Sequence, residues 1–368
     1  MTEHDLRSLR AQLADLDSQI IHLAAQRRAL SIEIGKIKQT MERPSRDFAQ
    51  ESAVLKRANQ VGSSLGLSSK FTEELILHLI RSSLTVQERD RVATRQLGAE
   101  SRALIIGGSG RMGTWFAHFL ESAGFDIVIA DPNTPPDGLP HITDWRDIPL
   151  DMELIIVAAP IRTSAKILSD LALRKPSGCV VDISSVKTPL KPGFDALRAA
   201  GVAVASIHPM FGPDVALLSG RHVMVIDLGS SEATDLVCTL FEPTMAKLVP
   251  VELDEHDRLM AQVLGLSHAL NIAFFTALKQ GGQDATNLSR LSSSTFDAQL
   301  GIAAGVSAEN PHLYFEIQAL NAYGPSAIQA LNDAVAKIRE CIESQDETTF
   351  VEIMAAGHSY LQALQSQP

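Results

Sequence analysis

Apolar residues along the first part of the chain recur in alternating steps of three and four, at Leu6, Leu9, Leu13, Leu16, Ile20, Leu23, Arg27, Leu30, Ile34 and Ile37. This heptad seam predicts one long helix over residues 4–41. Pro44 ends the pattern, a second helix is expected over about residues 46–64, and Gly66-Leu-Ser-Ser-Lys leads into a third from Phe71 to Gln87. Three helices with no strand make a small helical domain, whose seam is buried best between two intertwined copies. Only Arg27 interrupts the seam. A cation there needs a buried anionic partner or ligand.

Arg89 to Ser101 is polar and lacks apolar periodicity, which marks it as a linker. Beyond it the pattern changes to short continuous apolar runs: Arg102-Ala-Leu-Ile-Ile, Asp126-Ile-Val-Ile-Ala, Leu154-Ile-Ile-Val-Ala-Ala, Cys179-Val-Val-Asp-Ile, Val202-Ala-Val-Ala-Ser-Ile and His222-Val-Met-Val-Ile. With helical stretches between most of them, they predict a mostly parallel sheet covered on both faces. From Glu255 the strands stop, and 256–280, 310–321, 325–344 and 347–365 read as helices. The fold class is therefore multidomain. An all-α N-terminal domain spans 1–90, an α/β Rossmann domain 101–253, and an all-α C-terminal domain 254–368, apolar enough to pack against a second copy as a dimerisation domain.

With 368 residues and a net charge of −11, the chain has no basic stripe for nucleic acid. Its start lacks the apolar core of a signal peptide, and no apolar run approaches the roughly 20 residues of a membrane span. A cytoplasmic location without a membrane partner is expected. The three cysteines, Cys179, Cys238 and Cys341, are far apart with no CxxC, so neither a disulfide framework nor a zinc site is indicated.

The first strand runs into Gly108-Ser109-Gly110-Arg111-Met112-Gly113, followed by a helix and a second strand ending at Asp131. That order is a dinucleotide-binding βαβ unit. Gly108 would permit the tight turn, Gly110 the approach of a pyrophosphate, and Gly113 close helix–strand packing, with the helix N-terminus facing the phosphates. These six residues and Asp131 are the expected cofactor-binding set. A carboxylate at 131 can accept both ribose hydroxyls and favours NAD over NADP. The same loop and acid could instead hold S-adenosylmethionine.

Polar residues also recur at helical spacing in the N-terminal helices. Arg27 and Lys38 are eleven residues apart and share a face, as do Asp47, Gln50 and Glu51, and Ser83 and Gln87. Arg10 lies about 100° round the helix from Arg27 and so points away from that face, where it could serve a neighbouring chain's site. In order and spacing, Arg10, Arg27, Lys38, Asp47, Glu51, Ser83 and Gln87 resemble the active-site pattern of the all-helical chorismate mutase family over residues 4–90. The resemblance implies that Arg10 and Arg27 clamp the two substrate carboxylates, one arginine coming from the partner chain. Lys38 and Gln87 would hydrogen-bond the ether oxygen, and Glu51 the ring hydroxyl. A Claisen rearrangement needs only a compact conformer and stabilisation of the breaking C–O bond. The family usually has arginine where this chain has Gln50.

Asp182-Ile-Ser-Ser-Val-Lys187 and Ser206-Ile-His-Pro-Met-Phe-Gly-Pro-Asp214 follow strand ends, where open α/β sheets bind ligands. Together with the glycine loop and Glu255-His-Asp257 they resemble the prephenate/arogenate dehydrogenase family over about residues 102–365, in which a fused chorismate mutase is a known arrangement. The resemblance implies that His208 accepts a hydrogen bond from the ring C4 hydroxyl during hydride loss. Ser185 would hold the same hydroxyl or the cofactor carboxamide, with Lys187 nearby. Where many members carry arginines for a substrate carboxylate, this chain has Asp297 and Gly305, and the nearest cation is Arg290.

The leading reading is a bifunctional enzyme, expected as a homodimer whose other partners are small-molecule substrates only: chorismate to prephenate, then NAD-dependent oxidative decarboxylation to 4-hydroxyphenylpyruvate. Three alternatives stand beside it. One is the same pair of reactions on 4-amino-4-deoxychorismate and 4-amino-4-deoxyprephenate; another is an S-adenosylmethionine-dependent methyltransferase acting on the mutase product; the last is a non-catalytic sensor of aromatic metabolites.

Overall fold

The computed structural model describes residues 3–41, 43, 46–135, 138–282 and 285–365; Pro44 lies outside them. The first three helices are α1 (Glu3–Thr40), α2 (Phe48–Ser64) and α3 (Ser69–Arg95). Glu3 and Asp5 in the first turn of α1 and Lys38 in its last complement the helix dipole. Asp47 caps α2 by accepting from Gln50 N at 2.9 Å, and Ser68 caps α3 by accepting from Phe71 N at 3.2 Å. No residue of α1 is buried. Its seam leucines and isoleucines from Leu6 to Leu23 stand 48–63% exposed within the single chain, far more contiguous apolar surface than an isolated helix leaves in water.

The expected linker is replaced over its first half by helix. α3 continues to Arg95 because Val92 is buried and Glu88, 5% exposed, reaches across to accept Leu218 N and Met245 N, both at 2.8 Å. Polarity alone concealed this, since a charged residue that satisfies buried amides reads in sequence like a solvated one.

The sheet domain follows as β1 (Arg102–Ile106), α4 (Arg111–Ser122), β2 (Asp126–Ala130), β3 (His141–Ile142), β4 (Leu154–Val157), α5 (Ile161–Arg174), β5 (Cys179–Asp182), α6 (Lys191–Ala199), β6 (Val204–Pro209), β7 (His222–Ile226), α7 (Ser231–Phe241) and β8 (Lys247–Pro250). The strand order is β3-β2-β1-β4-β5-β6-β7-β8. All neighbours are parallel except β6 and β7, which pair antiparallel with His208 opposite Met224. β4 and β5 are buried throughout, as strands covered on both faces require. The order reverses between β1 and β4, which opens a crevice beyond their C-terminal ends.

The C-terminal helices are α8 (Leu253–Met260), a π turn over Ala261–Leu266, α9 (Ser267–Gln280), α10 (Ala285–Arg290), α11 (Ser294–Ser307), α12 (Pro311–Leu320), α13 (Gly324–Ser344) and α14 (Glu347–Gln365). α10 and α11 were not among the expected helices. In the π turn the Gly265 carbonyl accepts from Gln318 Nε2 at 2.8 Å. The continuous helix Leu253–Gln280 is, against expectation, long and apolar enough by length and composition to cross a membrane. Cys179, Cys238 and Cys341 are free thiols.

The chain divides into two compact units, one of residues 1–159, 166–184 and 193–251, the other of 160–165, 185–192 and 252–368. The N-terminal helices and the sheet thus belong to one unit and the C-terminal helices to the other.

Burial above all raises the Glu88 pKa above the usual glutamate value. As pH rises from that usual value toward the raised one, the unfolded chain ionises before the folded one, so Glu88 should lower stability across this window and have no further effect above it. Glu88→Ala should abolish that slope. It should also cost about 2–4 kcal/mol, because two buried amides lose their acceptor; urea unfolding between pH 4 and 8 measures both effects.

Candidate active sites

α1 and α3 run in step. Arg27 Nη1 donates to Leu79 O and to Ser83 Oγ, each at 2.9 Å, and one turn further on Gln87 Nε2 donates to Ser31 O and to Ser31 Oγ, the latter at 2.9 Å. The helices approach so closely here that a Cβ on Gly35 would lie 2.9 Å from Gln87 Cγ. Arg27 therefore meets neutral oxygens among the described residues instead of the anion its seam position called for, and burial lowers its pKa. A half-buried guanidinium whose partners among the described residues are neutral suits an anionic ligand.

The structure brings Arg27, Ser83 and Gln87 together and leaves others of the expected set apart. Arg10 is exposed and sits roughly 26 Å along α1 from Arg27, at 1.5 Å per residue, so it cannot complete the same chain's site. Lys38 is half-buried at the end of α1. Asp47 serves as the α2 cap, and Gln50 is exposed. Glu51 is held in a two-pronged ion pair by Arg46, a residue the sequence did not single out.

At the sheet, the tight turn after β1 falls on Gly107 and not on Gly108. Gly107 has φ +87°, and a Cβ there would meet the Ala158 backbone at 2.8 Å. Gly108 instead makes room for the Ile129 side chain of β2. Gly113 permits the close helix–strand approach as expected, since a Cβ would lie 2.3 Å from Gly107 O. The Gly-Gly doublet was the signal for the shift by one. Gly110 caps α4. Asp131 accepts from Ser109 N (3.2 Å), Asn133 N (2.8 Å) and Asn133 Nδ2 (3.2 Å). Three bonds on about four lone-pair positions leave acceptor capacity for a ribose. Arg111 pairs with Asp214 at 2.7 Å, tying the start of α4 to the loop beyond His208, while Met112 packs against the core.

His208 is buried near the end of β6. On the adjacent β5, Asp182 is fully buried and accepts Ser206 Oγ (2.8 Å) and Ser184 N (3.0 Å). Ser185 and Lys187 belong to the other unit. There the fully buried Asp257 collects Lys187 N (2.8 Å), Thr188 N (2.6 Å), the Thr188 hydroxyl and His256 Nδ1 (2.8 Å). Burial alone would raise the Asp257 pKa, yet the bonds from His256, Thr188 and the two amides outweigh it and hold the carboxyl below its usual value. His268, which its sequence context does not mark, stacks on Tyr314 at 4.1 Å, with a buried Nδ1 that has no hydrogen-bond partner among the described residues. Asp297 and Gly305 are exposed on α11, with open space beside Gly305.

The family model for chorismate mutase type II matches residues 9–88, that for the prephenate dehydrogenase nucleotide-binding domain 143–250, and that for the prephenate dehydrogenase dimerization domain 252–356. The chain belongs to the chorismate mutase/prephenate dehydrogenase family. Among its relatives, a T-protein of Enterobacter agglomerans is 26% identical over 349 residues, 94% of this chain and 90% of that protein. A 4-amino-4-deoxyprephenate dehydrogenase of Streptomyces pristinaespiralis is 26% identical over 265 residues, 69% of this chain and 89% of its own. In fold, the dehydrogenase segment resembles a prephenate dehydrogenase from A. aeolicus in complex with hydroxyphenyl propionate and NAD+, at a TM-score of 0.59 and 20% identity, covering 72% of this chain and 98% of that one. The chain is thus an enzyme, so the non-catalytic sensor reading falls, and the methyltransferase alternative finds no support in these matches.

Because the Asp257 pKa is depressed in the fold, its contribution to stability is complete above the usual aspartate value and is lost as pH falls through the folded value. Asp257→Asn should cost about 2–5 kcal/mol at pH 7, since an amide nitrogen would face two buried N–H groups, and should flatten the acid limb of a stability–pH curve followed by thermal unfolding.

Proposed function

We propose that the N-terminal helices rearrange chorismate to prephenate and that the remainder oxidises prephenate to 4-hydroxyphenylpyruvate and CO2 with NAD. The observation that carries this reading is the presence in one chain of Arg27, seated on Ser83 with only neutral partners among the described residues, ahead of a glycine loop whose Ser109 N donates to Asp131 beyond the second strand. The functional segments are 1–90, 101–253 and 254–368. The protein acts as a soluble, cytoplasmic homodimer on small molecules. The exposed α1 seam and the apolar Leu253–Gln280 helix, which falls in the segment matched as a dimerization domain, support burial against a second copy.

In the mutase site Arg27 and Arg10 of the second copy clamp the carboxylates. Lys38 and Gln87 stabilise the negative charge that grows on the ether oxygen; to do so, Gln87 turns one Nε2 hydrogen away from Ser31. Asp47 fixes the first turn of α2, from which Glu51 meets the ring hydroxyl. In the dehydrogenase site the close-packed glycine cradle and the spare acceptor capacity of Asp131 fit the pyrophosphate and ribose of NAD, as does the NAD+ held by the A. aeolicus protein. NAD supplies the hydride acceptor for ring C4. His208 accepts a hydrogen bond from the C4 hydroxyl and steadies it while the ring carboxylate leaves as CO2, its bonding pair completing the aromatic ring. Ser185 orients the hydroxyl or the carboxamide.

Incubating the full chain with chorismate should yield prephenate without NAD, and 4-hydroxyphenylpyruvate with NADH when NAD is added, followed by absorbance and mass. Arg27→Ala should raise the mutase barrier by about 3–5 kcal/mol. His208→Asn should lower kcat of the second reaction by roughly 10²–10⁴-fold with little change in KM. Asp131→Ala should narrow the preference for NAD over NADP. An enzyme inert toward chorismate and prephenate would remove the reading.

Gln50, Asp297 and Gly305, together with the Streptomyces relative, favour a second reading in which both substrates carry a 4-amino group. Gly305→Arg separates the two, and the open space there admits the side chain. If Arg290 or another cation binds prephenate, the variant should keep or improve KM for prephenate. If the site is built for an amine, native turnover should fall while prephenate affinity rises.

A further inference from the structure

From the end of β6 at Pro209 to the start of β7 at His222 the chain is a loop, and the mutase helices grip its last residues twice. Glu88 of α3 accepts Leu218 N at 2.8 Å. Arg46, just ahead of α2, donates from Nη1 to Ser219 Oγ at 2.7 Å. The opposite edge of the same guanidinium meets Glu51, Nε to Oε1 and Nη2 to Oε2, both at 3.0 Å, while its face lies over the Phe48 ring at 4.4 Å. Three different contacts therefore determine one planar group.

A glutamate on the first turn of a helix is free to rotate about three bonds, and a two-pronged arginine fork removes that freedom by fixing the plane of the carboxylate. Arg46 itself precedes the helix, where no helical hydrogen bond holds its backbone, so the fork is only as rigid as what anchors it. Phe48 supplies the face contact, and Ser219 supplies the directional one. The charge matters as well. Chorismate carries two carboxylates, and an unpaired Glu51 beside them would repel the ligand; Arg46 neutralises it where Gln50 offers no charge.

We propose that Arg46 is a positioning residue for Glu51 and that Ser219, from the dehydrogenase loop beyond His208, locks Arg46 in place, so that the mutase site is completed by the dehydrogenase segment. This rests on the proposed role of Glu51 at the substrate ring hydroxyl. It differs from an ordinary domain contact in one respect, because its effect on catalysis runs only through Glu51.

The test uses the full chain and mutase kcat and KM for Arg46→Ala, Arg46→Lys, Ser219→Ala, Glu51→Gln and the double variant Arg46→Ala/Glu51→Gln, with the thermal midpoint and NAD reduction on supplied prephenate as controls of folding. Ser219→Ala should lower mutase kcat/KM by about three- to tenfold, and Arg46→Ala by about ten- to a hundredfold, the range for losing one or several hydrogen bonds to a charged group. Arg46→Lys, a single charge that cannot serve Glu51 and Ser219 together, should fall between wild type and Arg46→Ala. In the Glu51→Gln background, removing Arg46 should cost less than about twofold, because partners that act through each other are not additive. Equal losses with and without Glu51 would make Arg46 a structural contact and overturn the proposal, as would wild-type mutase kinetics in both Ser219→Ala and Arg46→Lys. A wild-type chain inert toward chorismate overturns the mutase reading along with it, whereas an active wild type indifferent to these changes overturns this proposal alone.

Discussion

The joining of the mutase helices to the sheet depends on a buried carboxylate that is not part of either reaction. Glu88 stands one residue after Gln87, which faces α1, and its two oxygens satisfy the amides of Leu218 and Met245 in the sheet domain. Burying an ion is unfavourable unless its acceptor sites are filled, so the carboxylate and the two amides require one another. With that requirement met, α3 runs without interruption from the mutase face to the sheet, and the Arg95 pair with Glu242 at 3.0 Å closes its last turn. The helix serves both halves of the molecule. Its middle presents Ser83 and Gln87 to α1, and its C-terminal part packs Val92 into the core around β1 and α4.

Much of this was legible from residue order. Heptad spacing located α1 to within a residue or two, the apolar runs located six of the eight strands described and missed the short β3 and β8, and Gly113 packs against the strand turn as its spacing indicated. These are local signals, set by periodicity and by what a neighbouring backbone tolerates. The shift of the tight turn to Gly107 was harder to see because a doublet of glycines offers two positions for one positive φ, and only the approach of Ala158, just beyond β4, decides between them. The expected linker failed for a related reason. Arg89 to Arg95 is polar because it lies on a surface helix, and the two residues that hold it, Glu88 and Val92, find partners more than a hundred positions away or across the sheet. Separations of 173 positions for Arg46 with Ser219, and of 70 and 69 for Asp257 with Lys187 and Thr188, conceal those contacts in the same way. No spacing rule links residues that meet only through the fold.

The two halves also differ in how far a single chain completes them. The glycine cradle, Asp131 and Asp182 are formed within one chain, with both carboxylates buried there. The mutase helices leave their seam exposed and Arg10 far from Arg27, so on the proposed reading the first reaction exists only in the assembled pair. Substrate carboxylates then bridge two chains. Affinity for chorismate and affinity between subunits are consequently linked, each strengthening the other by the same free energy.

The π turn at Ala261–Leu266 has a geometric consequence for everything after it. One surplus residue in a helix advances the phase of all later positions by about 100°, so the face that α8 buries is not the face that α9 would bury had the helix continued at ordinary pitch. Gln318 makes the surplus tolerable by accepting the role of donor to a carbonyl that the wider turn leaves over. The turn thus works as a fixed rotation in the middle of a 28-residue rod, and the orientation of the apolar side of α9 is set by a count of residues upstream, with no hinge, glycine break or change of axis needed. A single deletion there would leave the composition of α9 intact and aim its surface elsewhere.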